Sequence, residues 1–306
     1  MKRKPYRYLF YLGLRGMQLL VLWLPRRISF FLASGIGRLA FLAARRERKK
    51  TLLHLTWAYG TEKTPNEIRQ WGKRVFIHFA QSAVDVLRFP QWNQAKLDQL
   101  IEGTEQLEIF DRVLSEGKGL ILLTAHLGNW ELLGPLLTLR GYRGGLIGRR
   151  IYYERFNQFL VQLRAQVLIE TFYQDASPKE FLKLLSRNEI LAILADQDVD
   201  RLDGIFVPFF GRPAYTLTAP VKLALASKAP LVPTFLVRSG SRYRLLVEEP
   251  IRVEGQGTRE EIVREYTARW SQQIEEKIRA YPDQWVWMHR RWKTTPRSEA
   301  APVEVG

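Results

Sequence analysis

Cysteine is absent from the 306 residues, and histidine occurs only four times. Without cysteine there are no disulfides, no thiolate metal sites and no cysteine acyl-enzyme, and the redox compartment is left open. Several nucleophile and phosphate signatures are missing as well. There is no Gly-x-Ser-x-Gly elbow, no His-Glu-x-x-His pair, and no Walker A loop, because Gly117-Lys118 is followed by Gly119. Long apolar runs are also lacking. The longest clean stretch near the N-terminus, Gly16 to Leu24, lies between Arg15 and Pro25, well short of the roughly twenty residues a crossing helix needs. No Gly/Ser/Pro-rich linker and no repeat interrupts the chain, so one large domain with a short N-terminal appendage is expected.

Positive charge is abundant and unevenly spread. The formal net charge is +16, and residues 1–50 hold thirteen Lys/Arg against Glu47 alone. Such a block seeks an anionic surface, either nucleic acid or phospholipid headgroups. Its basic residues alternate with Tyr8–Leu12, Met17–Leu24 and Ile28–Leu32, more aliphatic surface than nucleic-acid arms carry and a pattern that suits interfacial helices. Residues 1–50 are therefore expected to form helices lying in a membrane interface, with a short span over Tyr8–Leu24 as the alternative. Deleting residues 1–44 is expected to leave the fold largely intact. A cleaved signal peptide is disfavoured, since no small-residue site follows Leu24.

Residues 51–306 read as an α/β domain. Ile68, Trp71, Val75, Phe79, Ser82 and Val86 recur at helical steps within a predicted helix over Asn66–Phe89. Further helices are predicted over Glu105–Glu116, Asn129–Leu139, Tyr153–Ala165, Pro178–Ser186, Thr218–Ser227 and Thr258–Ala280. Buried strands are predicted at Gly119–Thr124 and Ile190–Ala195, a short strand around Leu146-Ile147, and an adjacent pair of strands at Leu231–Val237 and Tyr243–Val247. The alternation implies an α/β fold with a mixed sheet wrapped by helices.

Of the four histidines, His54 and His78 fall in helical patterns that suggest structural roles, and His289 sits in an aromatic, basic cluster. His126 lies just past a predicted strand, in Thr124-Ala125-His126-Leu127-Gly128-Asn129-Trp130-Glu131. Open α/β sheets bind ligands at the carboxyl ends of their strands. On a regular helix His126 and Glu131 would point about 140° apart, so they can meet only with His126 on a loop and Glu131 in the first helical turn. Gly128 permits the bend and Asn129 is a suitable N-cap. A carboxylate on one ring nitrogen would then leave the other to take a proton from a hydroxyl. The bland alternative is a capping loop with a merely polar histidine.

This loop resembles the His-x4-Asp/Glu signature of glycerolipid-type acyltransferases, in the Glu form of the late acyltransferases of lipid A biosynthesis. Ala195-Asp196-Gln197-Asp198, the segment Gly204–Gly211 with Thr216–Pro220, and Gln284–Lys293 resemble further stretches of that family. The resemblance implies His126 and Glu131 as a catalytic pair with Arg164 as the family's arginine. It also implies an acyl-carrier-protein or coenzyme A thioester donor, a glycolipid acceptor, no cofactor or metal, and attachment to the cytoplasmic face of the bacterial inner membrane. Asn129, Arg149, Arg150, Asp196 and Asp198 are the substrate-binding candidates, while Phe206, Phe209, Phe210 and Tyr215 could line an acyl groove or belong to the core. Gly148-Arg149-Arg150-Ile151 departs from the Arg-Pro-Asn the family often shows, so a lipid A precursor and another glycolipid, such as a phosphatidylinositol mannoside, both stay open. A basic nucleic-acid-binding protein is the reading from another class.

Overall fold

The computed structural model describes residues 5–296. The basic residues Lys2, Arg3 and Lys4 and the end of the expected α/β domain, 297–306, lie outside them.

Four helices come first: α1 (Pro5–Trp23), α2 (Arg26–Ala43), α3 (Arg45–Tyr59) and α4 (Pro65–Leu87). Helix α4 opens on a capping box, in which Thr64 and Glu67 satisfy each other's backbone amides, followed by Pro65 in the first turn. Then follow α5 (Gln94–Leu100), β1 (Ile101–Glu102), α6 (Glu108–Leu114), β2 (Leu120–Thr124), α7 (Leu133–Thr138), β3 (Gly144–Gly148), α8 (Glu154–Ala165), β4 (Glu170–Tyr173), α9 (Pro178–Ser186) and β5 (Ile190–Leu194). The chain continues through β6 (Gly204–Phe209), β7 (Arg212–Leu217), α10 (Ala219–Ser227), β8 (Leu231–Ser239), β9 (Arg242–Val247) and α11 (Arg259–Ala280).

Seven strands form one sheet in the order β1-β9-β8-β2-β5-β3-β4, and β6 and β7 pair separately. Strands β8, β2, β5, β3 and β4 are mutually parallel, while β9 runs antiparallel to β8 and carries β1 beside it. The sheet is thus mixed, as expected. Its two faces are buried in separate apolar clusters. Ile121, Leu123, Leu191 and Ile193 point into one, with Trp270, Trp285 and Trp287, and Leu120, Leu122 and Leu236 point into the other, with Leu132 and Leu136.

Strands β1, β4, β6 and β7 were not predicted. Strand β1 has two residues and β4 is an edge strand of four. Prolines 208 and 213, which face each other across the β6–β7 pair, disguise that hairpin because proline argues against a strand. Its turn is Phe210-Gly211, both at positive φ (50° and 68°), the geometry a two-residue hairpin requires.

The N-terminal helices pack on the rest of the fold. Gly37 of α2 meets α4 so closely that a Cβ would lie 2.6 Å from Ile77 Cα. Val21 and Ala33 join the core cluster of Val84, Leu87 and Phe89. Their other face is open: Leu9, Leu19, Trp23, Phe31 and Leu39 are each about two-thirds or more exposed. No single described helix is long and apolar enough to cross a membrane. Helices α2 and α3 together pass by length and composition, but they meet at a bend of 89°.

Candidate active site

The parallel register of β2 and β5 pairs Thr124 with Leu194. Two residues past those paired ends stand His126 and Asp196, and their side chains meet. Asp196 Oδ1 lies 2.7 Å from His126 Nδ1, and Oδ2 accepts from the His126 amide at 2.9 Å and from Trp285 Nε1 at 2.7 Å. Asp196 is 2% exposed. Burial alone would push its carboxyl up, but the His126 imidazole and these hydrogen bonds together hold it well below the usual carboxylate range. A carboxylate only accepts, so Nδ1 carries the proton, which leaves Nε2 of a neutral imidazole as an acceptor.

The expected pairing of His126 with Glu131 is therefore corrected. Glu131 does sit in the first turn after the loop, a 3₁₀ turn over Trp130–Leu132. Both its oxygens are taken by Arg164, at 3.0 Å from Nε and 2.6 Å from Nη2. A planar guanidinium fork matches a carboxylate better than an imidazole can. Strand register, invisible in the spacing of His126 and Glu131, brings Asp196 to the ring instead.

Backbone contacts hold the His126 loop. The Gly128 amide donates to Gln284 O (3.1 Å), the Asn129 amide to Leu236 O (2.8 Å), and the Val286 amide to His126 O (3.2 Å). Gly128 has φ +64° and lies against Leu236, where a Cβ would come within 2.0 Å of the carbonyl oxygen, so no other residue fits. His78 Nε2 is 2.9 Å from Gly128 O. Asn129 is neither a side-chain cap nor a wall of the site. It is buried, and its amide donates to Tyr243 Oη (3.2 Å). That hydroxyl donates to Asp85 (2.7 Å), which accepts the Arg26 guanidinium at both oxygens (2.8 and 2.9 Å). A buried polar chain thus runs from α2 to the His126 loop.

His126 and Glu131 open onto a cavity of about 250 Å³ that also takes in Arg164, Arg149, Gln174 and Gln197. Leu122 and Thr124 of β2, Ala192 and Leu194 of β5 and Leu146 of β3 form its floor. Leu133 and Leu137 of α7, with Ile169, form much of its roof. It reaches Tyr142, Arg143 and Gly144 at the start of β3. The cavity therefore runs the length of the strands, polar at the His126 end and apolar through its middle. His126 keeps 18% of its side chain exposed there, enough for a substrate atom to reach it.

Other candidates sit elsewhere. Asp198 accepts from the Thr294 amide and hydroxyl (2.6 and 2.7 Å), so it ties down the C-terminal segment rather than lining the cavity. Arg150 stacks 4.1 Å over Tyr173 outside the cavity. Phe209 and Phe210 are buried, Phe206 and Tyr215 are partly buried, and none of the four lines the cavity. His54 and His78 are buried with backbone carbonyl partners. Sequence reasoning missed Gln197, whose Nε2 lies 3.0 Å from His126 Nε2 and 2.9 Å from His289 Nδ1. The His126 and His289 rings are 5.1 Å apart. Burial, with the neighbouring His126, pushes His289 down to about 4. The sequence marks the Ala195–Asp198 and Gln284–Lys293 segments, but only the folded register shows which of their side chains converge.

A carboxylate-held imidazole at the mouth of a largely apolar, strand-length cavity defines an α/β site in which a ring nitrogen can take a proton from a group beside that cavity. Residues 2–294 match the family described as bacterial lipid A biosynthesis acyltransferase, and the chain belongs to that family. Among its relatives, the lipid A biosynthesis lauroyltransferase of Escherichia coli K12 is 26% identical over 300 residues, 95% of this chain and 94% of that one. The palmitoleoyltransferase of the same organism is 25% identical over 296 residues, covering 94% and 92%. The phosphatidylinositol mannoside acyltransferase of Mycobacterium tuberculosis is 27% identical over 216 residues, 68% of this chain and 66% of its own length.

Proposed function

We propose that this protein is an O-acyltransferase that moves a fatty acyl chain from a thioester, carried by acyl carrier protein or coenzyme A, onto a hydroxyl of a lipid A precursor. The observation that carries the reading is the Asp196-held imidazole of His126 at the polar mouth of the apolar cavity. The acyl chain lies along the sheet, over Leu122, Ala192 and Leu194, with its thioester carbonyl at the mouth. The acceptor hydroxyl gives its proton to His126 Nε2 as its oxygen bonds to the carbonyl carbon. The carbon–sulfur bond then breaks, and the leaving thiolate takes the proton from the imidazolium, which Asp196 stabilises throughout. Gln197, 3.0 Å from Nε2, moves aside for the hydroxyl. Arg164, held by Glu131, sets positive charge beside the developing oxyanion, and Arg149 is a substrate-binding residue at the same mouth. With no cysteine and the acceptor oxygen as nucleophile, transfer is direct.

The open apolar face of α1 and α2, set among basic residues, anchors the protein in the interface of the inner membrane, with the catalytic site on the cytoplasmic side. A second reading, acylation of another glycolipid such as a phosphatidylinositol mannoside, draws on the mycobacterial relative. The lipid A reading is favoured by the match to the Escherichia coli enzymes over 94–95% of this chain, against 68% for the mycobacterial one. Mass spectrometry of lipids from a strain lacking the gene tests it. Lipid A short of one acyl chain is expected, and unchanged lipid A with an under-acylated second glycolipid would transfer the assignment.

A further inference from the structure

Thr124 ends β2 at the junction between the polar and apolar parts of the cavity. Its side chain shares a strand face with Leu122 and lines the cavity, two residues before His126. It is 2% exposed, and its Oγ1 has no hydrogen-bond partner. Among the buried side-chain groups without partners in the described residues, Thr124 is the one that lines this cavity. A buried hydroxyl left unpaired is costly to the fold and calls for an explanation.

Neighbouring donors are already committed. The amides of His126, Gly128 and Asn129 bond to Asp196, Gln284 O and Leu236 O. Nε and Nη2 of Arg164 are held by Glu131, and the Gln197 amide lies against the two imidazoles. An alkyl chain seated over Leu122 and Ala192 would bring its carboxyl carbon to the level of Thr124, whose buried hydroxyl has no other partner. We propose that Thr124 is a further catalytic residue whose hydroxyl donates to the carbonyl oxygen of the bound acyl group and holds the oxyanion as the new ester forms. This rests on the acyl-transfer reading above.

Thr124→Val keeps the shape and removes the donor, while Thr124→Ser keeps the donor. Turnover of the valine variant is expected to fall about 10²-fold, the effect of losing one oxyanion donor, with KM for the donor changed only a few-fold and the serine variant near wild type. Its unfolding midpoint should not drop, because an unpaired hydroxyl has been removed. The direct readout is the infrared carbonyl band of a dodecanoyl-coenzyme A labelled with ¹³C at C1, bound to the His126→Ala protein so that it stays intact. Adding Thr124→Val should move that band to higher frequency, as a carbonyl does on losing a hydrogen bond. Wild-type turnover in Thr124→Val would overturn the proposal, and so would a loss of turnover with the band unmoved, since packing would then be the cause. A band shift on adding Thr124→Val, when the wild-type protein transfers no acyl group, would keep the hydroxyl's contact with the carbonyl but sink the acyl-transfer reading and the catalytic role with it.

Discussion

Replacing Asp196 with Asn changes one atom of a carboxylate that accepts three donors, and the consequence can be worked from the contacts. Oδ1 serves His126 Nδ1, and Oδ2 serves both the His126 amide and Trp285 Nε1. The amide NH₂ must face one set or the other. Turned toward the two fixed N–H groups, it strands both, at about 1–3 kcal/mol each. It therefore turns toward Nδ1, which must become an acceptor, and the imidazole proton moves to Nε2. The nitrogen that faces the substrate then carries a proton and has no lone pair to receive another. The equivalent change in Ser-His-Asp hydrolases lowers kcat by about 10⁴, or about 5 kcal/mol of barrier, and a similar loss is expected here. Initial rates of acyl transfer, read by mass spectrometry of the lipid product, give the magnitude, and ¹⁵N shifts of the imidazole report the tautomer. Glu131→Gln, which disturbs Arg164 rather than the imidazole, should lose less. Transfer by Asp196→Asn within tenfold of wild type, or a larger loss in Glu131→Gln, would refute this assignment of the histidine's partner.

Arg26→Ala should lower stability by about 3–5 kcal/mol, because it leaves the wholly buried Asp85 without its cation. Urea unfolding measures this, and a change below about 1 kcal/mol would contradict it. Acid should weaken the fold early. Burial, with Arg238 nearby, holds His78 at about 3, and His289 lies at about 4. Both stay neutral in the fold, while the unfolded chain takes up their protons below about 6.5. Their contribution is thus complete above about pH 6.5 and lost as pH falls toward 4 and below. Asp196, shifted the same way from 3.8, contributes above that value and loses its contribution only at lower pH. Urea midpoints should fall between about pH 7 and about pH 5, and His78→Gln should flatten the slope; a flat wild-type profile would count against the buried neutral histidines. Ala192→Phe, which fills the cavity floor, should shift preference to shorter acyl donors while keeping their turnover. An unchanged chain-length profile would place the acyl chain elsewhere.

The α/β class, the antiparallel β8–β9 pair and most helices were legible because their apolar periodicities are strong. Pro178–Ser186 was read to the residue. Within the site, His126 stood out through its place after a buried strand. Its partner did not, because strand order decides which carboxylate reaches the ring and His-x4-Glu spacing carries no such information. The short β1, the edge strand β4 and the proline-bearing β6 and β7 fell below what local pattern can show. The N-terminal helices were read as a detachable anchor from their charge and aliphatic content. Arg26, Gly37 and Val21, packed against α4 and its neighbours, make α1 and α2 part of the folded unit, so deleting residues 1–44 is expected to destabilise the protein.

The central claim, direct acyl transfer with His126 as general base, is tested by one pair of reactions. Purified wild type and His126→Ala are each given an acyl thioester and a lipid A precursor, and product is followed by mass spectrometry alongside the intact protein mass. Wild type is expected to add one acyl chain to the lipid, His126→Ala to be slower by about 10²–10⁴-fold, and neither protein to gain acyl mass when the acceptor is omitted. Near-normal turnover by His126→Ala, or a stoichiometric acyl-protein adduct in wild type, would contradict it.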